Sequence, residues 1–213
     1  MQKIPSLFCR NYDGDRLVRD EFVHDSLWVV DGYGDATVKL DGTACMVLGG
    51  ALFKRYDRKR NRKTGEFKDA PAGWVPCEAA PNEHTGHWPG WIPVGDEPES
   101  RWHRAAFDYE NGAFDDGTYE AVGLHFNGNP YKLDHDCLIR HGVPIDGQHP
   151  FPEATFEGVR AWCEDRPWAE GIVWHHQDGR MVKIKRRDFG LPWPTEEAAR
   201  CGLSGTGSED RPF

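Results

Sequence analysis

The chain has 213 residues, 38% of them hydrophobic and 29% charged. That is the soluble globular range, with length enough for a sizeable core. No apolar run is long enough to span a bilayer, and no signal-peptide core follows Met1, so a cytoplasmic protein is expected. The formal charge of −9 argues against a polyanion binder, but the charges are unevenly spread. Lys54 to Lys68 hold eight Lys/Arg against Asp57 and Glu66, and Arg180 to Arg187 hold five and no acid. Such runs are what a polyanion meets, though a solvated face looks the same. None of the six cysteines falls in a C-x-x-C pair, which points to free thiols in a reducing compartment.

In chain order, Phe8, Leu17, Val18, Phe22 and Val23 predict short lead-in strands, and Leu27–Val30 (LWVV) predicts another. VKLDGTACMV, Val38–Val47, predicts a strand, a tight Asp41-Gly42 turn and a returning strand. Gly49-Gly50 breaks this opening hairpin, and ALFKRYD resumes it, carrying Lys54 and Arg55 back past the Lys39 turn. Residues 61–73 predict a mobile basic loop, and Trp74–Pro98 an irregular aromatic insertion packed against the sheet. His103–Tyr109 suits a strand or short helix; Thr118–Phe126 and Leu133–Ile139 suit strands. Phe156, Val159, Trp162 and Cys163 recur at helical spacing, so a helix is expected from Glu153 to about Asp165, closed by Pro167. Glu170–His176 and the stretch after Arg180 predict a hairpin turned by Asp178-Gly179. A short helix is expected from Thr195, and 202–213 as a flexible tail. Short strands with few helices give α+β with mostly antiparallel sheets, in one minimal domain over residues 1–201.

Strand alternation supplies the chemistry. In MVKIKRR, Met181, Lys183 and Lys185 share one face, and two aligned lysines suit an anion lying along the strand. Glu170 opens the preceding strand. A carboxylate near two lysines and a reactive lysine, Lys39, is what phosphoryl or nucleotidyl transfer needs. Glu120 lies inside an otherwise apolar strand and should have a partner or a job. Cys77, Glu83, His84 and His87 are too loosely spaced for a zinc site. Trp174 and Trp193 are core by default, with base stacking as the alternative.

Lys39-Leu40-Asp41-Gly42, Tyr119-Glu120-Ala121-Val122-Gly123, Glu170-Gly171-Ile172-Val173 and Met181-Val182-Lys183-Ile184-Lys185 stand in an order that resembles the covalent lysine nucleotidyltransferases. With the basic run, WPGW and KIKRRDF, the pattern is most similar to the ATP-dependent RNA ligase 1 family of 5′-3′ RNA ligases. The resemblance implies an ATP-grasp-like nucleotidyltransferase fold. It implies ATP and Mg²⁺ (or Mn²⁺) as cofactors, and RNA with 5′-phosphate and 3′-hydroxyl ends as substrate. It further implies a monomeric ligase beside an end-healing kinase or phosphatase. Lys39 would be the nucleophile, Asp41 would orient its loop, and Gly42 would keep the turn tight. Arg55, with Arg58 as competitor, would contact the nucleotide or the RNA end. Glu120 would sit near the ribose, Glu170 and Glu120 would serve the metal, and Lys183 and Lys185 would hold phosphate. A DNA ligase or a capping-type guanylyltransferase is the alternative. Both carry an OB domain after the KIK strand, and the 28 residues after Lys185 lead us to expect none here.

Overall fold

The computed structural model describes residues 3–61, 63–83, 86–143, 151–200 and 203. The strands are β1 (Phe8–Arg10), β2 (Val18–Phe22), β3 (Asp35–Lys39), β4 (Thr43–Leu48), β5 (Ala51–Lys59), β6 (Val75–Pro76), β7 (His87–Pro93), β8 (Gly117–Val122), β9 (Cys137–Arg140), β10 (Gly171–His175) and β11 (Met181–Lys185). The α-helices are α1 (Arg101–Asp108) and α2 (Phe156–Asp165). All strand pairs in the named sheets are antiparallel, so the architecture is α+β as the strand pattern predicts. Among the described residues no helix is long and apolar enough to cross a membrane. The tail expected over residues 202–213 lies outside the described residues, apart from Leu203.

The chain divides into two compact units. The first, which we call the lysine unit, takes Ile4–Asp41, Asn129–Leu133 and Gly142–Phe213. It holds the sheet β11-β10-β3 and the ribbon β1-β2. Ile172, Trp174, Val182 and Ile184 turn one face of the three-stranded sheet into a core shared with Leu7, Phe8, Trp28, Val159, Trp162 and Phe189. Helix α2 begins where expected to within a turn: the Thr155 hydroxyl caps it by accepting from the Gly158 N–H at 3.1 Å. The segment Pro5–Leu7 runs along the outer edge of β11, with Leu7 N–H donating to Lys183 O and Lys183 N–H to Pro5 O.

The second, six-stranded unit takes Met1–Lys3, Gly42–Gly128 and Asp134–His141. Its sheet runs β6-β7-β5-β4-β8-β9. Cys45, Val47, Leu52, Tyr119, Ala121 and Leu138 face a core that also contains Ala106 of α1.

Four expectations need correcting. LWVV is not a strand: His24–Val29 is a 3-10 helix that buries Trp28 and Val29 and leaves Leu27 and Val30 outside. A four-residue apolar run cannot distinguish these states, and Ser26 decides by donating to Leu7 O and Val23 O. Asp41-Gly42 does not turn a hairpin; β3 joins the three-stranded sheet and β4 the six-stranded one. The hairpin turn is Gly49-Gly50, both at positive φ, which sets Leu48 opposite Ala51. The irregular insertion contains β7, which pairs along β5 from Phe53 to Lys59. Finally, the basic loop is folded over part of its length, with Arg60 bridged to Phe67 and Asn61 N–H bonded to Glu66 O.

Candidate active site

Strand β10 is the middle of its sheet. Gly171 lies opposite both Lys39 and Lys185, and Val173 opposite both Thr37 and Lys183. Directly opposed residues of an antiparallel pair share a face. Burial of Val38, Ile172, Val182 and Ile184 on the core side therefore places Lys39, Lys183 and Lys185 together on the other. Gly171 stands between two of these lysines, and a Cβ there would overlap Ile184 O, so no other residue fits.

Glu170 precedes the strand by one residue and is 2% exposed. Its Oε2 is 2.6 Å from Lys39 Nζ, and its Oε1 is bonded to Lys185 Nζ. Lys39 Nζ also donates to Leu40 O at 2.8 Å. Lys183 differs: among the described residues its ammonium makes no hydrogen bond or ion pair. Burial, then the positive charges of Lys39 and Lys185, push its pKa down to about 8. Three lysines thus face one carboxylate. Asp188 does little to redress the balance, since it is paired with Arg10 and accepts the Lys185 backbone N–H. A cluster with surplus positive charge beside a buried carboxylate suits a polyphosphate anion.

At the end of β3 the Asp41 N–H donates to Tyr131 Oη at 2.6 Å, and Asp41 Oδ2 accepts from Trp193 Nε1 at 2.8 Å. The chain enters the six-stranded unit at Gly42, whose N–H donates to Glu120 Oε1 at 3.0 Å. A Cβ at Gly42 would overlap Ala121 O. The other oxygen of Glu120 lies 2.8 Å from His141 Nε2, and His141 Nδ1 lies 3.0 Å from Thr118 Oγ1. Arg55 lies with its guanidinium 5.6 Å from the Trp91 ring centre, its Nε 2.9 Å from Asp57 Oδ1 and its Nη1 3.9 Å from Cys77 Sγ. Arg58 is enclosed by Phe67, Trp74 and Trp88 and donates twice to Lys68 O. Both arginines are thus held by neighbours within the six-stranded unit.

RNA ligase 1 of Mus musculus is 30% identical to this chain over 75% of it and 68% of the mouse protein. RNA ligase 1 of Danio rerio is 29% identical over 76% and 69%. The chain belongs to the RNA ligase 1 family. The family's own model, described as RNA ligase 1, matches residues 111–201. That stretch contains Glu120, Glu170, Lys183 and Lys185 of this family member, while Lys39, Asp41, Gly42 and Arg55 precede it.

Sequence reasoning passed over Tyr131 and His141, and gave Trp193 no role toward Asp41. Tyr131 sits in a stretch that reads as a turn, and so does His141. Their partners lie 90 and 21 residues away along the chain, and the partner of Trp193 lies 152 away. No local pattern encodes such pairs. Trp174, core by default, is buried among the aromatic residues of the lysine unit.

Proposed function

We propose that this RNA ligase 1 family member is an ATP-dependent RNA ligase that works through a lysyl-adenylate. The observation that carries this reading is the convergence of Lys39, Lys183 and Lys185 on one sheet face around the buried carboxylate of Glu170. Lys39 Nζ, as the free amine, attacks the α-phosphorus of ATP; an N–P bond forms and pyrophosphate leaves. The proton the amine sheds has an acceptor within reach in Glu170 Oε2, at 2.6 Å. Lys183 and Lys185 offset charge on the phosphate oxygens as the bond order changes. A 5′-phosphate oxygen of RNA then attacks the same phosphorus and the P–N bond breaks. Last, a 3′-hydroxyl attacks the 5′-phosphorus, the strands join and AMP departs. All three are displacements at phosphorus, so one charged face serves each in turn.

Among the described residues no three His, Cys, Asp or Glu side chains group to hold a metal ion. Protein donors also engage both oxygens of Glu170 and both of Glu120. Among the described residues, then, protein side chains alone build no metal cage. A divalent cation fits as part of a metal–triphosphate substrate, with Glu170, a hard oxygen donor, as its protein contact once the lysines turn to phosphate. It would supply further neutralisation of phosphate charge. Glu120 and Arg55 keep the parts the resemblance implies, on the ribose and on the nucleotide or RNA end.

For RNA, the candidate surface is the Lys59 end of β5 and the basic loop that follows it. Lys59, Arg60, Lys63 and Lys68 are exposed there, and none of the three lysine ammonium groups is paired with a carboxylate among the described residues. The test of the whole reading is incubation with labelled ATP and Mg²⁺ followed by denaturing electrophoresis. Label should stay on the wild type and be absent from Lys39→Ala. Labelling by GTP instead, or sealing of nicked DNA but not nicked RNA, would move the chain to the capping-type or DNA-ligase alternative.

A further inference from the structure

The segment that follows the phosphate lysines returns to the nucleophile's own loop. After Lys185 the chain forms the short 3-10 turn Arg186–Phe189, ended by Gly190 at a φ of 79°. Both arginines of that turn then hold the backbone a few residues on. Arg186 Nε donates to Pro192 O at 3.1 Å. Arg187 donates twice to Trp193 O, from Nε at 3.0 Å and Nη2 at 2.6 Å. So held, Trp193 is buried and aims its indole N–H at Asp41 Oδ2, two residues beyond Lys39. Tyr131 receives the backbone N–H of the same aspartate.

Burial alone does not account for this bond. Trp28 is equally buried in the same unit, yet its indole N–H has no partner among the described residues. The fold tolerates an unpaired indole, but at position 193 it delivers the donor to a carboxylate, where a hydrogen bond is strongest. Asp41 and Lys39 flank Leu40, whose carbonyl accepts from Lys39 Nζ and whose side chain is buried. The Leu40 carbonyl and the Asp41 N–H lie in one peptide plane, so bonds that hold Asp41 by both its backbone and its carboxylate also fix the carbonyl that helps hold the amine.

We infer that Trp193, clamped by Arg187, is a positioning residue for the adenylation of Lys39. It acts through Asp41 and sets the approach of the amine to phosphorus. This rests on the lysyl-adenylate reading given above. A strap of this kind also couples the strand bearing Lys183 and Lys185 to the loop bearing Lys39, through one guanidinium and one indole.

The experiment compares two half-reactions in wild type, Trp193→Phe and Arg187→Gln. One is adenylation of the protein by ATP and Mg²⁺. The other is joining of an RNA strand that already carries AMP on its 5′ end, which needs no lysine nucleophile. Trp193→Phe keeps the ring and removes the donor. Its adenylation rate at saturating ATP should fall about 10-fold, with KM for ATP little changed, because misplacement acts on the reacting geometry and not on binding. Arg187→Gln should fall about 3-fold in the same step, since the donor is kept and only its clamp is loosened. Joining of the pre-adenylated strand should stay at the wild-type rate in both. Adenylation at wild-type rate in Trp193→Phe would overturn the inference. So would equal losses in the two half-reactions, which would make Trp193 a packing residue only. If Trp193→Phe does not fold, Arg187→Gln decides by the same two readouts. A wild type that forms no adduct defeats the ligase reading itself, which is a different outcome from a variant that matches it.

Discussion

The two sheets handle charge in opposite ways. Within the six-stranded sheet three charged residues are satisfied by neighbours: Glu120 by Gly42 and His141, Arg55 by Asp57 and Trp91, Lys54 by Ser100 and Glu97. On the three-stranded sheet three lysines share one carboxylate, and Lys183 has no partner among the described residues. A satisfied network fixes geometry; an unsatisfied one keeps interaction in reserve for a ligand. Under the proposed function, the lysine face is where the fold gives up stability for chemistry.

Removing the nucleophile should have the largest effect. Lys39→Ala is expected to abolish the covalent adduct while leaving a folded protein, as read by gel labelling and circular dichroism. Glu170→Gln comes next. It strips the counter-charge from Lys39 and Lys185, and removing one partner of a buried pair is costly, about 3–5 kcal/mol. Loss of adenylation together with a lower melting temperature is the expected pair of results. Full activity in Glu170→Gln would show that the carboxylate is not needed.

Lys183→Met sharpens the contrast most directly. The folded pKa of this lysine is pushed down to about 8 from 10.5, so carrying its charge costs the folded state. The unfolded chain binds more protons wherever the pH lies between those two values, so stability rises with pH there. Below about 8 the whole penalty is present. Lys183→Met should therefore be more stable than wild type at pH 7, by roughly 1–3 kcal/mol, and that advantage should shrink as pH approaches 10. Adenylation should fall by about 100-fold, as expected for a charge that interacts with the transition state. Denaturant titrations at the two pH values check the first part. A variant less stable than wild type at pH 7 would contradict it.

Much of the lysine face is legible in the amino-acid order. Lys183 and Lys185 alternate with Val182 and Ile184, and one buried face forces the other. What is not legible is which strands become neighbours. Val38–Val47 has every local mark of a hairpin, since Asp-Gly between apolar runs is a strong turn signal. Yet β3 pairs with β10, far along the chain, because that partner buries Val38 and Ala36 against a core the local pattern cannot reveal. Arg58 stands in the sequence as the competitor of Arg55, with no local sign of the rings around it. Gly90 makes room for one of them: a Cβ there would overlap the Trp74 indole, which helps enclose the guanidinium.

Smaller effects are expected on the six-stranded sheet, where disrupting a satisfied network leaves donors stranded. Glu120→Ala exposes the need of the Gly42 N–H for an acceptor, and about 1–3 kcal/mol of stability should be lost. The smallest catalytic effect belongs to the basic loop after β5. Replacing Lys59, Lys63 and Lys68 by Ala should leave self-adenylation unchanged. It should flatten the salt dependence of single-stranded RNA binding by a slope of about 2. An unchanged slope would remove this loop from the RNA surface.

In the proposed chemistry one amine on the lysine face bonds to AMP before any strands are joined. Intact-mass measurement after exposure to ATP and Mg²⁺, followed by peptide mapping, tests it most directly. A gain of a single adenylate, located on Lys39, is expected. No gain in mass, or an adenylate carried by any other side chain, would contradict it.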